Sequence, residues 1–224
     1  MPLKIYGPVQ AGGSLGAVLM VLAEKQVPFE LVPIDMGKYE HKTPAYRALQ
    51  PFAQTPVMDE DGFILFESRA ICRYLAEKYA DRGTALIPTE PKAKARFEQG
   101  ASIEFANFHP YAVPIIMEGL GKPLKGGATD KRVYDAAVAG LKERLAAYEV
   151  VLGTQRFIGG DEFTLADVFH VGHGAFLAHA GCDLMTSSGP NVARWFGEIT
   201  ARPSWTRWVR DGDAVRSTAA YDSE

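Results

Sequence analysis

The chain has 224 residues, 47% of them hydrophobic and 23% charged, enough for a sizeable core in one large or two small globular domains. Its net charge of −3 gives no electrostatic case for binding nucleic acid or an anionic membrane. The longest apolar run, Ala17 to Ala23, is too short to span a bilayer, and no signal-peptide pattern surrounds it.

Leu3 to Tyr6 alternates as a short strand, and Gly7 to Gly13 is a loop rich in breakers. Ser14 to Lys25 predicts a helix with Leu15, Val18, Leu19 and Leu22 on its apolar face. Val27-Pro28 ends it, and Phe29 to Pro33 reads as a second strand, so the spacing is βαβ and the pairing parallel. Met36 to Gln50 is polar and irregular, with a short helix near Ala45 to Leu49. Val57 to Phe66 reads as a hairpin turning at Asp61-Gly62, and a helix from Ser68 to about Tyr79 closes the unit. Residues 1–80 thus predict a small α/β layer domain.

Residues 81–92 read as a linker, because a glycine and two prolines forbid a continuing helix. Strand signals then stop. Ala93 to Phe108 is helical in spacing, and Pro110 and Pro114 interrupt it. Asp130 to Leu152 carries the longest clean pattern, through Val133, Ala137, Leu141, Leu145, Tyr148 and Leu152. Thr164 to Asp167 has capping-box spacing and opens a helix to about Ala180. Two short helices, Asn191 to Thr200 and Pro203 to Val209, precede a polar tail beyond Arg210 that is expected to fray. Residues 93–224 therefore predict an all-α domain.

Cys72 and Cys182 form no CxxC pair, so both are expected as small buried hydrophobes in a reducing, cytoplasmic setting. The five histidines do not cluster at metal-ligand spacing. His170 and His173 share a predicted helix without a third ligand, so no metal is expected.

The stretch that organises the chain is Gln54-Thr55-Pro56-Val57 followed by Leu65 to Ile71. Pro56 cannot donate to a strand ladder, so it belongs at a strand's first residue or in a bend. Ser68 reads as the N-cap of the following helix. A helix start offers unpaired N–H groups and partial positive charge, a ready site for a carboxylate. Glu67, just before it, can hold an ammonium. One small ligand with both groups would fit there; the plainer alternative is a capped helix with no ligand.

Taken in order, further stretches carry a resemblance. They are Tyr6-Gly7, Glu40-His41-Lys42, Gln50 to Pro56, Leu65 to Ile71, Tyr74 to Tyr79, Arg156-Phe157, Gly160 to Asp167 and Asn191 to Trp195. Over nearly its whole length the chain resembles a cytosolic glutathione S-transferase, and most of all the phi class. The resemblance implies a thioredoxin-like N-terminal domain, an all-helical C-terminal domain and a cytoplasmic homodimer engaged in detoxification. Phe52 is a candidate anchor for the partner subunit, with core packing as its alternative. The activity implied is conjugation of the glutathione thiolate to hydrophobic electrophiles, with reduction of organic hydroperoxides as a companion. A noncatalytic glutathione-binding carrier of apolar molecules is the alternative.

The resemblance also assigns the co-substrate glutathione to residues. Glu67 and Ser68 would hold its γ-glutamyl amine and carboxylate. Thr55, before a cis Pro56, would offer backbone groups to the cysteinyl portion, and Gln54, Lys42 and His41 would face the glycine end. The family serine that donates to sulfur falls on Gly12 when the sequences are aligned back from Val18, because this loop is one residue longer. Three readings stay open. Ser14 reaches the sulfur, or backbone N–H groups of Gly12, Gly13 and Ser14 activate it, or Ser14 only caps a helix in a site that activates poorly. Tyr6 is a remote fourth candidate, and the loop has no cysteine for mixed-disulfide chemistry. An electrophile site is expected between this loop and the first long helix of the helical domain, lined by Phe108, Tyr111, Ile115, Ile116 and Met117, with Tyr39 near its mouth. Thr164 and Asp167 are expected to serve folding rather than catalysis.

Overall fold

The structure is a computed structural model in which residues 2–209 are described. The polar tail expected beyond Arg210 lies outside them. The chain forms two compact units that divide between Ala85 and Leu86, and residues 203–209 return to the first.

The first unit is built on four strands: β1 (Leu3–Gly7), β2 (Phe29–Pro33), β3 (Val57–Glu60) and β4 (Phe63–Phe66), in sheet order β2-β1-β3-β4. β1 and β2 run parallel, as the βαβ spacing requires, and β3 and β4 add antiparallel. The hairpin turns where expected: Asp61 and Gly62 both have positive φ (53° and 88°), and Gly62 N donates to Asp59 Oδ1 (2.9 Å). Two positive φ angles match the right-handed twist of the flanking strands, which is why Asp-Gly marks such turns.

Helix α1 (Gly13–Glu24) packs against α3 (Ser68–Lys78) and the sheet, with the short α2 (Pro44–Leu49) between β2 and β3. The spacing of α1 predicts one apolar stripe, but the structure buries every residue from Leu15 to Glu24. Ala17, Met20 and Val21 lie on the far side of that stripe and are buried as well. The second cover comes from the chain's last described helix, introduced below.

In the second unit, α4 (Pro91–Ile103) and α5 (His109–Ile116) are joined by a π-turn at Glu104–Phe108. A second π-turn, Met117–Gly121, leads to the short α6 (Lys122–Leu124). Pro110 and Pro114, expected as breaks, are absorbed within this helical path. A proline lacks the N–H that would bond four residues back, and wider turns of this kind accommodate the gap. α7 (Lys131–Leu152) starts at Asp130, whose carboxylate accepts from Arg132 N (3.0 Å) and Val133 N (3.3 Å). Its buried residues are the expected ones, except that Val133 is 39% exposed in the first turn. α8 (Leu165–His179), α9 (Leu184–Ser187) and α10 (Pro190–Thr200) complete the unit.

Helix α11 (Pro203–Val209), expected with the all-α domain, belongs to the first unit. Ser204 Oγ donates to the buried Glu24 at the end of α1 (2.5 Å), and Trp208 packs edge-on against Phe29 of β2, ring centroids 6.0 Å apart. The expected linker is likewise divided. Thr84 N donates to Glu24 O (3.3 Å) and Lys25 Nζ to Arg82 O (3.1 Å), so the segment before Ala85 is pinned to the first unit. In the second unit Leu86 O accepts from Leu165 N (3.0 Å).

Asp167 organises the start of α8. It is fully buried; Oδ1 accepts from Trp195 Nε1 (2.8 Å) and Ile158 N (3.0 Å), and Oδ2 from Thr164 N (2.9 Å). Thr164 Oγ1 accepts from Ala166 N (3.3 Å), which completes the cap. Burial pushes the Asp167 carboxyl up to about 6, against the lowering effect of these bonds. A folded-state value above the unfolded one means the folded form holds its proton more tightly, so this group's stabilisation is full below the unfolded value and lost as pH rises through 6. Asp167→Ala should cost about 3 kcal/mol in urea denaturation, more than a surface cap, because four buried donors, the Thr164 hydroxyl among them, lose their acceptor. With Asp167→Asn as the non-titrating reference, wild type should gain about 2 kcal/mol relative to it between about pH 7 and pH 4.5.

Candidate functional site

The sheet register fixes where three turns of chain lie. Tyr6 pairs with Val57, and Val57 pairs with Phe66. The loop leaving β1 at Gly7, the bend entering β3 at Pro56 and the start of α3 after Phe66 therefore lie side by side at one end of the sheet.

The central turn is the bend at Ala53 to Pro56. Its Thr55–Pro56 peptide is cis, and Ala53 sits at positive φ (55°). Side chains hold the bend from outside: Tyr46 Oη donates to Gln54 O (2.9 Å), Lys42 Nζ to Ala53 O (3.1 Å), and Gln50 Oε1 accepts from Phe52 N (2.6 Å). Burial pushes the Tyr46 hydroxyl up to about 12, so it stays a donor at neutral pH. Lys42 ends a short 3₁₀ turn, Glu40–Lys42, in which His41 is buried and Lys42 exposed. Pro56 is buried, Thr55 half-buried and Gln54 exposed.

At the second turn the helix begins one residue earlier than the sequence suggests. Glu67, not Ser68, is the N-cap of α3, with φ 69° and ψ 105°. The left-handed φ swings the chain from β4 into the helix, and Glu67 O already accepts from Ala70 N (2.9 Å) and Ile71 N (3.0 Å). Ser68 is therefore the first helical residue, buried, among amide groups that have no acceptor inside the helix. Among the described residues neither the Glu67 carboxylate nor the Ser68 hydroxyl has a hydrogen-bond partner. Cys72, one turn along, is fully buried and its thiol is pushed up to about 12 by burial, so it is inert.

At the third turn, Gly12 is the N-cap of α1 in extended backbone, with no side chain to cap the helix. Gly13, at φ 49°, takes a conformation that costs other residues strain. Ser14 is the second helical residue, so the reading in which it only caps the helix is corrected: Gly12 holds that position. The Ser14 hydroxyl makes no hydrogen bond among the described residues and is half-buried. Tyr6, in mid-strand, is half-buried.

Beside this loop lies a cleft of about 530 Å³. Its walls are the apolar Pro8, Val9, Ile34 and Met36, with Asp35 and Glu40 on its polar side. Sequence reading did not single these residues out. The usable signal was the parallel pairing of β1 and β2, which brings the loops that follow both strands to the same end of the sheet.

The residues expected to line the electrophile site fare unevenly. Phe108 and Ile115 are fully buried within the second unit, with the Phe108 ring 4.9 Å from His170. They share an inner face with Ala112, at helical spacing of four and three, and this packing closes them off. Tyr111 is half-buried, and its Oη accepts from Arg144 Nε (3.3 Å). Ile116 is half-buried, whereas Met117 and Tyr39 are 47% and 53% exposed. His170 also serves the interior: Nδ1 donates to Ala166 O (2.7 Å), which leaves Nε2 to accept from Tyr148 Oη (2.9 Å).

Comparison with known proteins bears on this geometry. Residues 17–78 match the family profile "Glutathione S-transferase, N-terminal domain", and residues 106–203 match "Glutathione S-transferase, C-terminal domain". The chain is 40% identical over 210 residues to glutathione S-transferase hmp2 of Hypomyces subiculosus, covering 92% of this chain and 97% of the relative. Glutathione transferase F2 of Populus trichocarpa superposes with a TM-score of 0.86 at 40% identity, over 93% of this chain and 97% of that one. A maize glutathione S-transferase I in complex with an atrazine glutathione conjugate superposes at 0.81 and 30% identity, over 93% and 96%. The chain belongs to the glutathione S-transferase family, and its resemblance to the phi class is borne out.

Gly13→Ala should lower stability by about 1–2 kcal/mol in urea denaturation, the strain of a left-handed alanine. An unchanged midpoint would mean that the start of α1 tolerates a different backbone.

Proposed function

We propose that this chain transfers the glutathione thiolate to hydrophobic electrophiles. The observation that carries the reading is the sheet register, which sets the cis Thr55–Pro56 bend, the starts of α1 and α3 and a partly apolar cleft at one sheet end. Family membership and the maize structure with a glutathione conjugate support catalysis over a carrier role.

Glutathione lies across this end of the sheet. Its γ-glutamyl ammonium meets Glu67, and its α-carboxylate meets Ser68 and the first amides of α3, where the helix dipole favours an anion. The cysteinyl backbone pairs with Thr55. The glycine carboxylate meets Gln54 and Lys42, with His41 behind them; Lys42 retains donors beyond its bond to Ala53.

The sulfur then rests beside Gly12, Gly13 and Ser14. A free thiol near pKa 8.5 is only about 3% ionised at pH 7, and lowering that value by about two units takes about 2.7 kcal/mol. A hydroxyl donating to an anion supplies about 1.5–3 kcal/mol and a helix start up to about 2. Ser14 donates its otherwise unengaged hydroxyl, and the bare N-cap at Gly12 leaves the α1 amides open to add to it. The thiolate attacks the carbon that bears a halide: the C–S bond forms, the C–halide bond breaks, and halide leaves with the electron pair. The electrophile sits against Val9, Ile34 and Met36. The working form is a cytoplasmic homodimer in which Phe52, 67% exposed and excluded from the chain's own core, packs on the partner subunit.

Ser14→Ala should lower kcat/KM for a chloronitrobenzene at least tenfold and raise the pKa of bound glutathione. Unchanged turnover with an unchanged thiolate absorbance would transfer the role to the backbone amides. Ser68→Ala should weaken glutathione binding by about 1.5–3 kcal/mol in calorimetry, the scale of a bond to a charged group. Full retention of affinity would remove Ser68 from the site.

A further inference from the structure

The wall of the cleft from Asp35 to Glu40 is a closed loop. Asp35 N donates to Glu40 Oε2 (2.7 Å), and Glu40 N donates back to Asp35 O (3.1 Å). Lys38 N donates to Asp35 Oδ1 (2.9 Å), and Lys38 Nζ lies 3.4 Å from Asp35 Oδ2. The backbone bond from Lys38, above all, holds the Asp35 carboxyl below the usual carboxylate range. Both acidic residues line the cleft with their carboxylates at the solvent-facing side. Lys38 offsets Asp35, and no lysine, arginine or histidine stands among the lining residues to offset Glu40.

A carboxylate at the edge of a cleft acts on any charge a ligand brings. At about 6 Å and an intermediate effective dielectric, two like charges repel by about a factor of ten in binding.

We propose that this cleft selects electrophiles by charge, accepting neutral and cationic hydrophobic molecules and rejecting those that carry a carboxylate. The proposal rests on the reading of the cleft as the electrophile subsite of a glutathione transferase.

The test compares methyl 4-chloro-3,5-dinitrobenzoate with the corresponding free acid. The two share one ring and one leaving group and differ in a negative charge. Each kcat/KM is divided by the uncatalysed rate with glutathione at the same pH, which removes the difference in intrinsic reactivity. The ester should exceed the acid by about tenfold or more. Glu40→Gln keeps an acceptor for Asp35 N and removes the charge, and it should narrow that ratio at least threefold. Because the readout is a ratio within each protein, a general loss of activity cancels. Salt at about 1 M, where the screening length is about 3 Å, should narrow the ratio in wild type without any mutation. Equal corrected rates for ester and acid would overturn the proposal while leaving the transferase reading intact. A ratio insensitive to both salt and Glu40→Gln would also overturn it. No turnover of either ester or unsubstituted chlorodinitrobenzene would overturn the transferase reading, and this proposal with it.

Discussion

Val57 is held in the sheet between Tyr6 on one side and Phe66 on the other. A one-residue slip in either pairing would turn every side chain of that strand to the opposite face and move Pro56 out of line with Glu67. Val57 and Met58 are fully buried, one on each face, and Asp59 follows them, so a slip that brings Asp59 into the place of Met58 would drive a carboxylate into the core, and the register is strongly held. The ordering of three separate turns at one sheet end thus follows from burial of a four-residue strand. Chemistry that needs groups from distant parts of the chain inherits its precision from that pairing.

The three turns share a physical device. Each turns on a residue held at positive φ. Glu67 and Ala53 stand at positive φ, and Gly13 does so at the start of α1. Non-glycine residues at such angles store strain, and they persist where the surroundings over-determine them. Here Tyr46, Lys42 and Gln50 supply that constraint around the bend with three hydrogen bonds to its backbone. The second unit uses its polar groups differently. Asp167, His170 and Tyr148 are buried; Tyr148 bonds His170 and Asp167 bonds Trp195, and these bonds hold helices together. Buried donors facing one carboxylate make Asp167 costly to remove, yet none of those groups is open to a ligand.

Much of the fold was legible because it follows from local signals. The Asp61-Gly62 turn, the helix from Thr164 and the βαβ start each rest on a few residues whose preferences agree with the final structure. The start of α3 was misjudged by one residue because serine is an ordinary N-cap, whereas glutamate at positive φ carries no sequence signal. The burial of Phe108 and Ile115 was missed for a related reason. Helical spacing shows which residues share a face, but not whether that face meets solvent or another helix. The cleft around Ile34 and Met36 was invisible because it depends on two loops meeting at a sheet end, and neither loop has a pattern of its own. Helix α11 was assigned to the wrong unit because a chain's return to an earlier element leaves no trace in periodicity; it rests on Ser204, Trp205 and Trp208.

Titration of glutathione into the purified protein, followed by calorimetry in two buffers of different ionisation enthalpy, tests the central claim most directly. Comparing the heats separates binding from proton release, and a free thiol with pKa near 8.5 enters mostly protonated at about pH 7. Saturable uptake with net release of a proton is the predicted result, since the sulfur is held as a thiolate. No uptake at about millimolar glutathione, or uptake with no proton released, would contradict a site that grips the tripeptide and ionises its sulfur.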